Sequence, residues 1–336
     1  MKLDAGIFLP PAEIPAMAAS LAGMGYDGIY TLEGKNDPFV SATVAASSGE
    51  NLTVMTAIAV AFARNPMNLA YLGHDLQQLS RGQFILGLGT QVKSHIEHRF
   101  SMPWGKPVAR MRDMVLAIRA IWTAWQSGER LNYQGEYYHH TLMVPTFSPE
   151  IGQYGTPKIY LAGVGPKMTQ MVGEVADGYF VHPFSSAESL EQLSFPALQA
   201  GRSSTGKTLQ DFDISAQIMT ATGLDEAQLQ QAIASAKNQI AFYGSTPAYL
   251  PVLEVHGWGA MHGQWKQMVK ENRWADMAAS VSDEMLETFA VVGSPQQVAE
   301  QIIARSAGRL QRVSPVVYQS DPEILSALSQ ALRAAE

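Results

Sequence analysis

The stretch IYLAGVGPKM, residues 159–168, joins a short apolar run to a Gly-x-Gly turn at positions 163–165. In a dinucleotide-binding fold, a third glycine follows three residues after the second, and an acidic residue comes about 20 positions later. Here that third position holds Met168, and the similar GLG turn at 87–89 has Val92 there. We therefore reject the dinucleotide fold for both turns.

The GVG turn fits better as a loop at the carboxyl end of a parallel strand. Because glycine has no side chain, the backbone amides of Gly163, Val164 and Gly165 can approach a phosphate closely. The following segment, GPKMTQMVGEVA, predicts a helix whose N-terminus favours an anion, and Lys167 adds a cation. The alternative is a tight turn without a ligand. The strand pattern of the whole chain favours phosphate binding.

Eight short apolar runs recur along the chain, and helical patterns lie between them. Their apolar character is continuous rather than alternating, which is typical of parallel strands buried on both faces. The runs lie at 3–9, 27–33, 52–62, 83–89, 158–163, 177–182, 213–223 and 312–319. The alternation predicts an α/β fold, a (β/α)8 TIM barrel formed as a single domain over 1–336. Long insertions are expected after strand 4 (90–157, with a helix near 107–126 and a small strand pair) and after strand 7 (224–311, with several helices).

Composition excludes several classes of function. The 336 residues carry a net charge of −7, so no basic face for nucleic acid is expected. No run of about 18 apolar residues is present, so no membrane span is expected. The absence of cysteine removes disulfides and thiolate metal sites, and it fits a cytoplasmic protein without a signal peptide. We also expect no metal site, because His95 and His98 lack a third inward ligand.

Two Asp-Gly pairs mark strand starts. Asp27-Gly28 and Asp177-Gly178 each follow a helical pattern and precede an aromatic-containing run. In a barrel, strand starts lie on the stabilising face, so both pairs are expected to be structural. His182, in contrast, ends the sixth strand at the functional face. It is the histidine expected beside a ligand, with a buried core histidine as the alternative.

Taken together, several motifs resemble the bacterial luciferase-like superfamily, and more narrowly its branch that uses the deazaflavin coenzyme F420. The resemblance covers nearly the whole chain in the expected order. The motifs are YDGIYTLEGKNDPF, AIAVAFARNP, LSRGQFILGLGTQVKSHIEHRFSMPW, QGEYYHH and IYLAGVGPKMTQMVGEVADGYFVHPF. The family implies a (β/α)8 barrel, usually dimeric, with a flavin or deazaflavin at the carboxyl ends of the strands.

The resemblance implies a role for residues at three strand ends. The end of the second strand lies beside the reactive ring, which makes Glu33 and Asp37 candidates for proton transfer, together with His182. Ala57 and Ile58 match a bulge that contains a non-proline cis peptide bond in this family and supports one face of the ring. Further residues match contacts to the cofactor: Thr90 and Gln91 to the ring edge or side chain, and Gly163, Val164 and Gly165 to the phosphate.

The expected function is that of an oxidoreductase that transfers a hydride between coenzyme F420 and a small organic substrate. A basic run of Lys93, Arg99, Lys106, Arg110 and Arg112 is either a solvated face or a set of counter-charges for the polyglutamate tail of F420, and it favours F420 over FMN. Two alternatives remain, an FMN-dependent monooxygenase and a non-catalytic flavin-binding protein on the same fold. The resemblance also implies a homodimer.

Overall fold

A closed barrel of eight parallel strands forms the centre of the computed structural model, which describes residues 1–306, 308–318 and 321–335. The strands are Lys2–Gly6 (β1), Gly28–Thr31 (β2), Thr53–Thr56 (β3), Phe84–Gly89 (β4), Lys158–Ala162 (β5), Gly178–Val181 (β6), Asp213–Thr222 (β7) and Arg312–Val317 (β8). Each pairs in parallel with the next, and β8 pairs with β1 through Lys2 and Arg312 to close the ring. All eight expected strands and the TIM barrel are confirmed. Residue 319 of the expected eighth strand and residue 307 of the second insertion lie outside the described residues.

Helices surround the barrel and fill the insertions. In chain order they are Ile14–Gly23 (α1), Pro38–Ser47 (α2), Pro66–Leu79 (α3), Pro107–Ser127 (α4), Pro166–Val175 (α5), Ala187–Ser189 (α6), Phe195–Ser204 (α7), Glu226–Gly244 (α8), Leu250–Val255 (α9), Gly259–Lys270 (α10), Trp274–Ala279 (α11), Asp283–Phe289 (α12), Pro295–Ser306 (α13) and Pro322–Ala335 (α14). Across the described ranges, none of these helices combines the length and apolar character that crossing a membrane requires.

The third expected strand is interrupted. The apolar run 52–62 forms β3 and then a two-residue strand, Ala59–Val60, which pairs with the end of β4. The peptide bond between Ala57 and Ile58, in the gap between these strands, is cis. This is the position at which the family resemblance implied a cis bond.

The insertions follow strands 4 and 7, as expected. The first contains α4 and an antiparallel pair of short strands, Tyr133–Gln134 and His139–His140. The second contains α8 to α13, but it also contains a strand that the sequence did not predict, Ala290–Gly293. This strand pairs in parallel with Met219 to Thr222 of β7. Because β7 extends beyond the barrel, its free edge pairs with this short AVVG segment. Four apolar residues show no periodicity that would distinguish a strand from the end of a helix.

The two Asp-Gly pairs are the same structural device. The Asp27 carboxylate accepts the Leu3 amide at 2.8 Å, and the Asp177 carboxylate accepts the Ile159 amide at the same distance. Each aspartate therefore bonds the start of one strand to the neighbouring strand, β1 to β2 and β5 to β6. An arginine on an outer helix binds each carboxylate, Arg333 in one case and Arg119 in the other. The expected structural role of both pairs is confirmed.

Hydrophobic packing divides into three regions. The main core lies between the barrel and its outer helices and includes Trp122 and Trp125 of α4. A small cluster fills the barrel interior around Tyr30 and Tyr160. The third cluster lies under the helices of the second insertion and is centred on Trp265. The second insertion therefore has its own apolar core and forms a packed layer next to the barrel.

Candidate active site

The glycine loop leaves β5 and enters helix α5. Gly165 adopts φ +85° and ψ 150°, a backbone region that is essentially restricted to glycine, and Pro166 is the first helical residue. Gly163 is buried, and a Cβ there would lie 2.9 Å from Cγ of Met168. The Tyr179 hydroxyl donates a hydrogen bond to the Gly163 carbonyl at 2.8 Å and fixes the loop from below. The loop and the first turn of α5 line a cleft.

This cleft brings the glycine loop and His182 together. It is lined by the loop after β5, by β6 and the segment that follows it, by α5 and by the second insertion, and the lining includes Thr169, His182, Ser194 and Tyr249. Hydroxyl-bearing residues and the glycine loop itself line it, a combination that suits an anionic group such as a phosphate. Lys167 is exposed on the first turn of α5.

His182 is held in one neutral form. Its Nδ1 accepts the Phe184 amide at 3.1 Å, so the ring proton resides on Nε2, which lies 2.8 Å from the Tyr249 hydroxyl. Burial lowers the pKa of His182 to about 3. The ring stacks on Tyr249 at 4.5 Å between centroids and meets Tyr243 edge-on at 4.6 Å. Because Nε2–H donates to the Tyr249 oxygen, the Tyr249 proton is free to point to another acceptor.

Sequence reasoning missed both tyrosines that contact His182. Tyr243 ends α8 and Tyr249 lies just before α9, so both come from the second insertion, more than 60 positions from His182. The sequence contains no local signal for this contact, because it depends on how the insertion folds back over the strand ends.

Glu33 and Asp37 meet at a third residue, Arg64. The Arg64 guanidinium lies 2.7 Å from Glu33 Oε2 through Nη1 and 2.7 Å from Asp37 Oδ2 through Nη2. The Glu33 carboxylate also accepts the Val60 amide at 3.0 Å. Asp37 also caps α2 by accepting the Phe39 amide. Each carboxylate thus has a structural partner.

The cis segment is held from several strands. The Ala57 amide donates to the Thr31 carbonyl at 2.7 Å, and the Glu33 amide donates to the Ile58 carbonyl at 3.1 Å. From the opposite wall, Gln217 Nε2 lies 3.5 Å from the Ala57 carbonyl oxygen. Gln217 was missed by sequence reasoning, although a long polar side chain in the mostly apolar run ISAQIM was an available signal.

Thr90 and Gln91 lie in the loop after β4, outside the residues that line the glycine-loop cleft. The Thr90 hydroxyl donates to the Gln91 carbonyl at 3.0 Å, and Gln91 Oε1 accepts the Val92 amide at 2.9 Å. Gln91 has φ +60°, which turns the chain sharply here. Both polar side chains therefore bond within their own loop in this conformation.

Each cation of the basic run has a partner within the protein. Its members are occupied as follows: Lys93 by Glu97, Arg99 by the Gly34 carbonyl, Lys106 by Glu136, Arg110 by Tyr138 and the Pro103 carbonyl, and Arg112 by Glu174. Arg110 is buried, with its guanidinium over the Phe62 ring. Lys93 and Lys106 nevertheless remain exposed, at 64% and 80% of the side chain, so both interpretations of the run, a solvated face and a tail-binding surface, stay predictions.

The fold and the cleft define the class. A closed (β/α)8 barrel carries a glycine loop, a helix N-terminus and a half-buried histidine at the carboxyl ends of its strands, where TIM-barrel enzymes place their sites. The chain belongs to the luciferase-like monooxygenase family, whose sequence profile matches residues 3–311. The expected family is thereby confirmed.

Relatives and solved structures agree with this assignment. The chain is 46% identical over 333 residues to an uncharacterised protein of Mycobacterium tuberculosis, with 99% of this chain and 98% of that protein covered. It is 30% identical over 237 residues to the 5,10-methylenetetrahydromethanopterin reductase of Archaeoglobus fulgidus, covering 68% and 65%. The coenzyme F420-dependent tetrahydromethanopterin reductase of Methanopyrus kandleri shares the fold with a TM-score of 0.83 at 19% identity, covering 99% of both chains. The EDTA monooxygenase of Chelativorans sp. shares it with a TM-score of 0.72 at 13% identity, covering 100% and 94%.

Proposed function

We propose that this protein is an oxidoreductase that transfers a hydride between coenzyme F420 and a small organic substrate. The observation that carries the proposal is the 30% identity to a methylenetetrahydromethanopterin reductase over two thirds of the chain. The fold similarity to an F420-dependent reductase, with a TM-score of 0.83, supports it.

The glycine-loop cleft fits the phosphate of such a cofactor. A Cβ on Gly165 would meet no atom within 4 Å, so the space above the loop is open. Gly163, Val164 and Gly165 would hold the phosphate through backbone amides, with the α5 N-terminus and Lys167 adding favourable charge. Ala57 and Ile58 would support the ring. Thr90 and Gln91 would contact it once their hydrogen bonds within the loop are replaced by hydrogen bonds to the cofactor.

The residues of the chain have distinct roles in this proposal. When bound, F420 supplies the hydride. The neutral His182 ring donates to the Tyr249 oxygen and thereby orients the free Tyr249 proton, so this pair is the proposed route for a proton. Glu33 and Asp37 are assigned to positioning, because Arg64 engages both and Glu33 holds the segment after the cis bond.

A direct cofactor titration tests the proposal. Purified protein is titrated separately with F420 and FMN, and ligand fluorescence reports each dissociation constant. We expect F420 to bind at least tenfold more tightly. Tighter FMN binding would overturn the F420 assignment and favour the monooxygenase alternative, which the fold similarity to the EDTA monooxygenase supports.

The non-catalytic alternative predicts cofactor binding without turnover. A panel of carbonyl, imine and enone compounds, assayed for consumption of reduced F420, separates it from the enzyme. Consumption with any member supports catalysis. We further propose a homodimer in the cytoplasm. Light scattering at several protein concentrations tests the dimer, and fractionation of the source cells tests the location.

A further inference from the structure

We propose that Tyr30, Ser314 and Tyr318 form a subsite at the barrel mouth that binds an uncharged oxygen of the substrate, a carbonyl or hydroxyl group attached to an apolar body. The inference rests on the proposed function only in assuming that a small organic substrate enters the barrel. It assigns a substrate class that the family relationship leaves open.

The three residues lie on strands that flank β1. Tyr30 belongs to β2 and pairs with Gly6, while Ser314 belongs to β8 and Tyr318 follows that strand. A Cβ on Gly6 would lie 2.7 Å from the Tyr30 ring and hydroxyl. The Tyr30 ring therefore lies across the bare backbone of β1, which directs its hydroxyl towards β8 and Ser314.

Two of the three hydroxyl groups lack a partner. Ser314 Oγ and the Tyr318 hydroxyl are buried, and neither has a hydrogen-bond partner in the described part of the chain. The Ser314 residue is only 2% exposed. Buried polar groups are almost always hydrogen-bonded, so two unpaired hydroxyls on one wall indicate a bound ligand or ordered water.

A third tyrosine, Tyr243, extends this hydroxyl wall towards His182. Burial raises the pKa of Tyr30 to about 12; the neighbouring Ser314 hydroxyl has the next largest effect and lowers it, while Asp4 and Tyr243 add smaller rises. Burial also raises the pKa of Tyr318, and Tyr243 and Tyr30 add to that rise. These hydroxyls consequently keep their protons at neutral pH and can donate to a substrate oxygen.

The charges around the wall favour a neutral group. Arg312 and Asp4 lie below it and neutralise each other in a buried ion pair, with Arg312 Nε 2.8 Å from Asp4 Oδ2. His182 is uncharged, as shown above. A carboxylate or phosphate bound here would be desolvated without a counter-charge, which is costly. The exposed Phe8 ring, edge-on to Tyr30 at 6.2 Å, supplies an apolar contact for the substrate body.

Binding of matched probes tests the subsite. Cyclohexanone and cyclohexanecarboxylate share a six-carbon ring and differ in charge. Both are titrated into the full chain, with and without F420, and saturation-transfer NMR reports binding. We expect cyclohexanone to bind at least tenfold more tightly than the carboxylate. Tyr318→Phe and Ser314→Ala should each weaken cyclohexanone binding three- to tenfold.

The thermal stability of the same variants separates a ligand-binding hydroxyl from one that supports the fold. Because each removes a hydroxyl without a protein partner, the unfolding midpoint should stay the same or rise. Tyr26→Phe is the matched control. It removes a buried hydroxyl that donates to the Leu325 carbonyl at the opposite end of the barrel, and it should lower the midpoint without changing probe binding.

The outcomes separate this inference from the proposed function. No cyclohexanone binding by the wild type, unchanged binding in both variants, or a preference for the carboxylate would each overturn the subsite. A failure of F420 to bind, with the probe pattern intact, would overturn the cofactor assignment and leave the subsite standing.

Discussion

Arg64 and Glu33 form a largely buried ion pair, with Nη1 2.7 Å from Oε2 and side-chain exposures of 14% and 9%. The pair connects the end of β2 to the segment that follows the cis bond. The same carboxylate accepts the Val60 amide and so holds backbone, while proton transfer by Glu33 stays a prediction.

Replacing Glu33 should therefore destabilise the protein. We expect Glu33→Gln to lower the free energy of unfolding by about 3 kcal/mol, because Arg64 is left without its main partner in a low-dielectric site. Urea unfolding measures this change. Asp37→Asn is the control, since Asp37 is 47% exposed and asparagine retains the helix cap, so its effect should stay below about 1 kcal/mol. Loss of turnover with full stability in Glu33→Gln would instead support proton transfer by Glu33.

His182 makes stability depend on pH in the acid range. Its folded-state pKa of about 3 lies below the ordinary value of 6.5, so the unfolded chain binds a proton in this range that the folded chain does not. Stability from this residue is thus present above pH 6.5 and is lost as the pH falls towards 3. Between pH 7 and pH 5, the wild type should lose about 2 kcal/mol more than His182→Gln in urea unfolding. Equal slopes for the two proteins would contradict the buried neutral ring.

The backbone of the glycine loop should control cofactor binding. Gly165→Ala forces a side chain into a conformation that favours glycine and places a methyl group in the open cradle, so we expect at least a tenfold loss of F420 affinity. Fluorescence titration measures the dissociation constant. Gly206→Ala also introduces strain at positive φ, +71°, but in a turn outside the cleft, and it should leave the affinity unchanged. Equal losses in both variants would point to global destabilisation.

Affinity for F420 should be insensitive to the length of its polyglutamate tail. The cations between 93 and 112 have partners within the protein, such as Glu174 for Arg112, which partly neutralise them even where Lys93 and Lys106 are exposed. Preparations of F420 with short and long tails should have dissociation constants within about twofold of each other at physiological salt. An increase in affinity with each added glutamate, abolished by salt, would support the tail-binding interpretation.

The sequence by itself was sufficient to predict the barrel. Each strand is a continuous apolar run and each neighbouring helix has its own periodicity, and both signals arise from residues a few positions apart. The same local logic identified the glycine loop before α5 and the Asp-Gly strand starts.

Only the tertiary structure revealed what the polar residues do. The sequence places Glu33 at a strand end without an evident partner, whereas the structure pairs it with Arg64, 31 positions away. Tyr249 reaches His182 from an insertion, and Ser314 lies beside Tyr30 only because β8 closes the ring next to β1. Burial and ion pairing depend on which residues from distant parts of the chain come into contact. Sequence periodicity reports only which face of a single helix or strand is apolar. The barrel could therefore be predicted from the local pattern, while the chemistry of its mouth depended on how the ring closes.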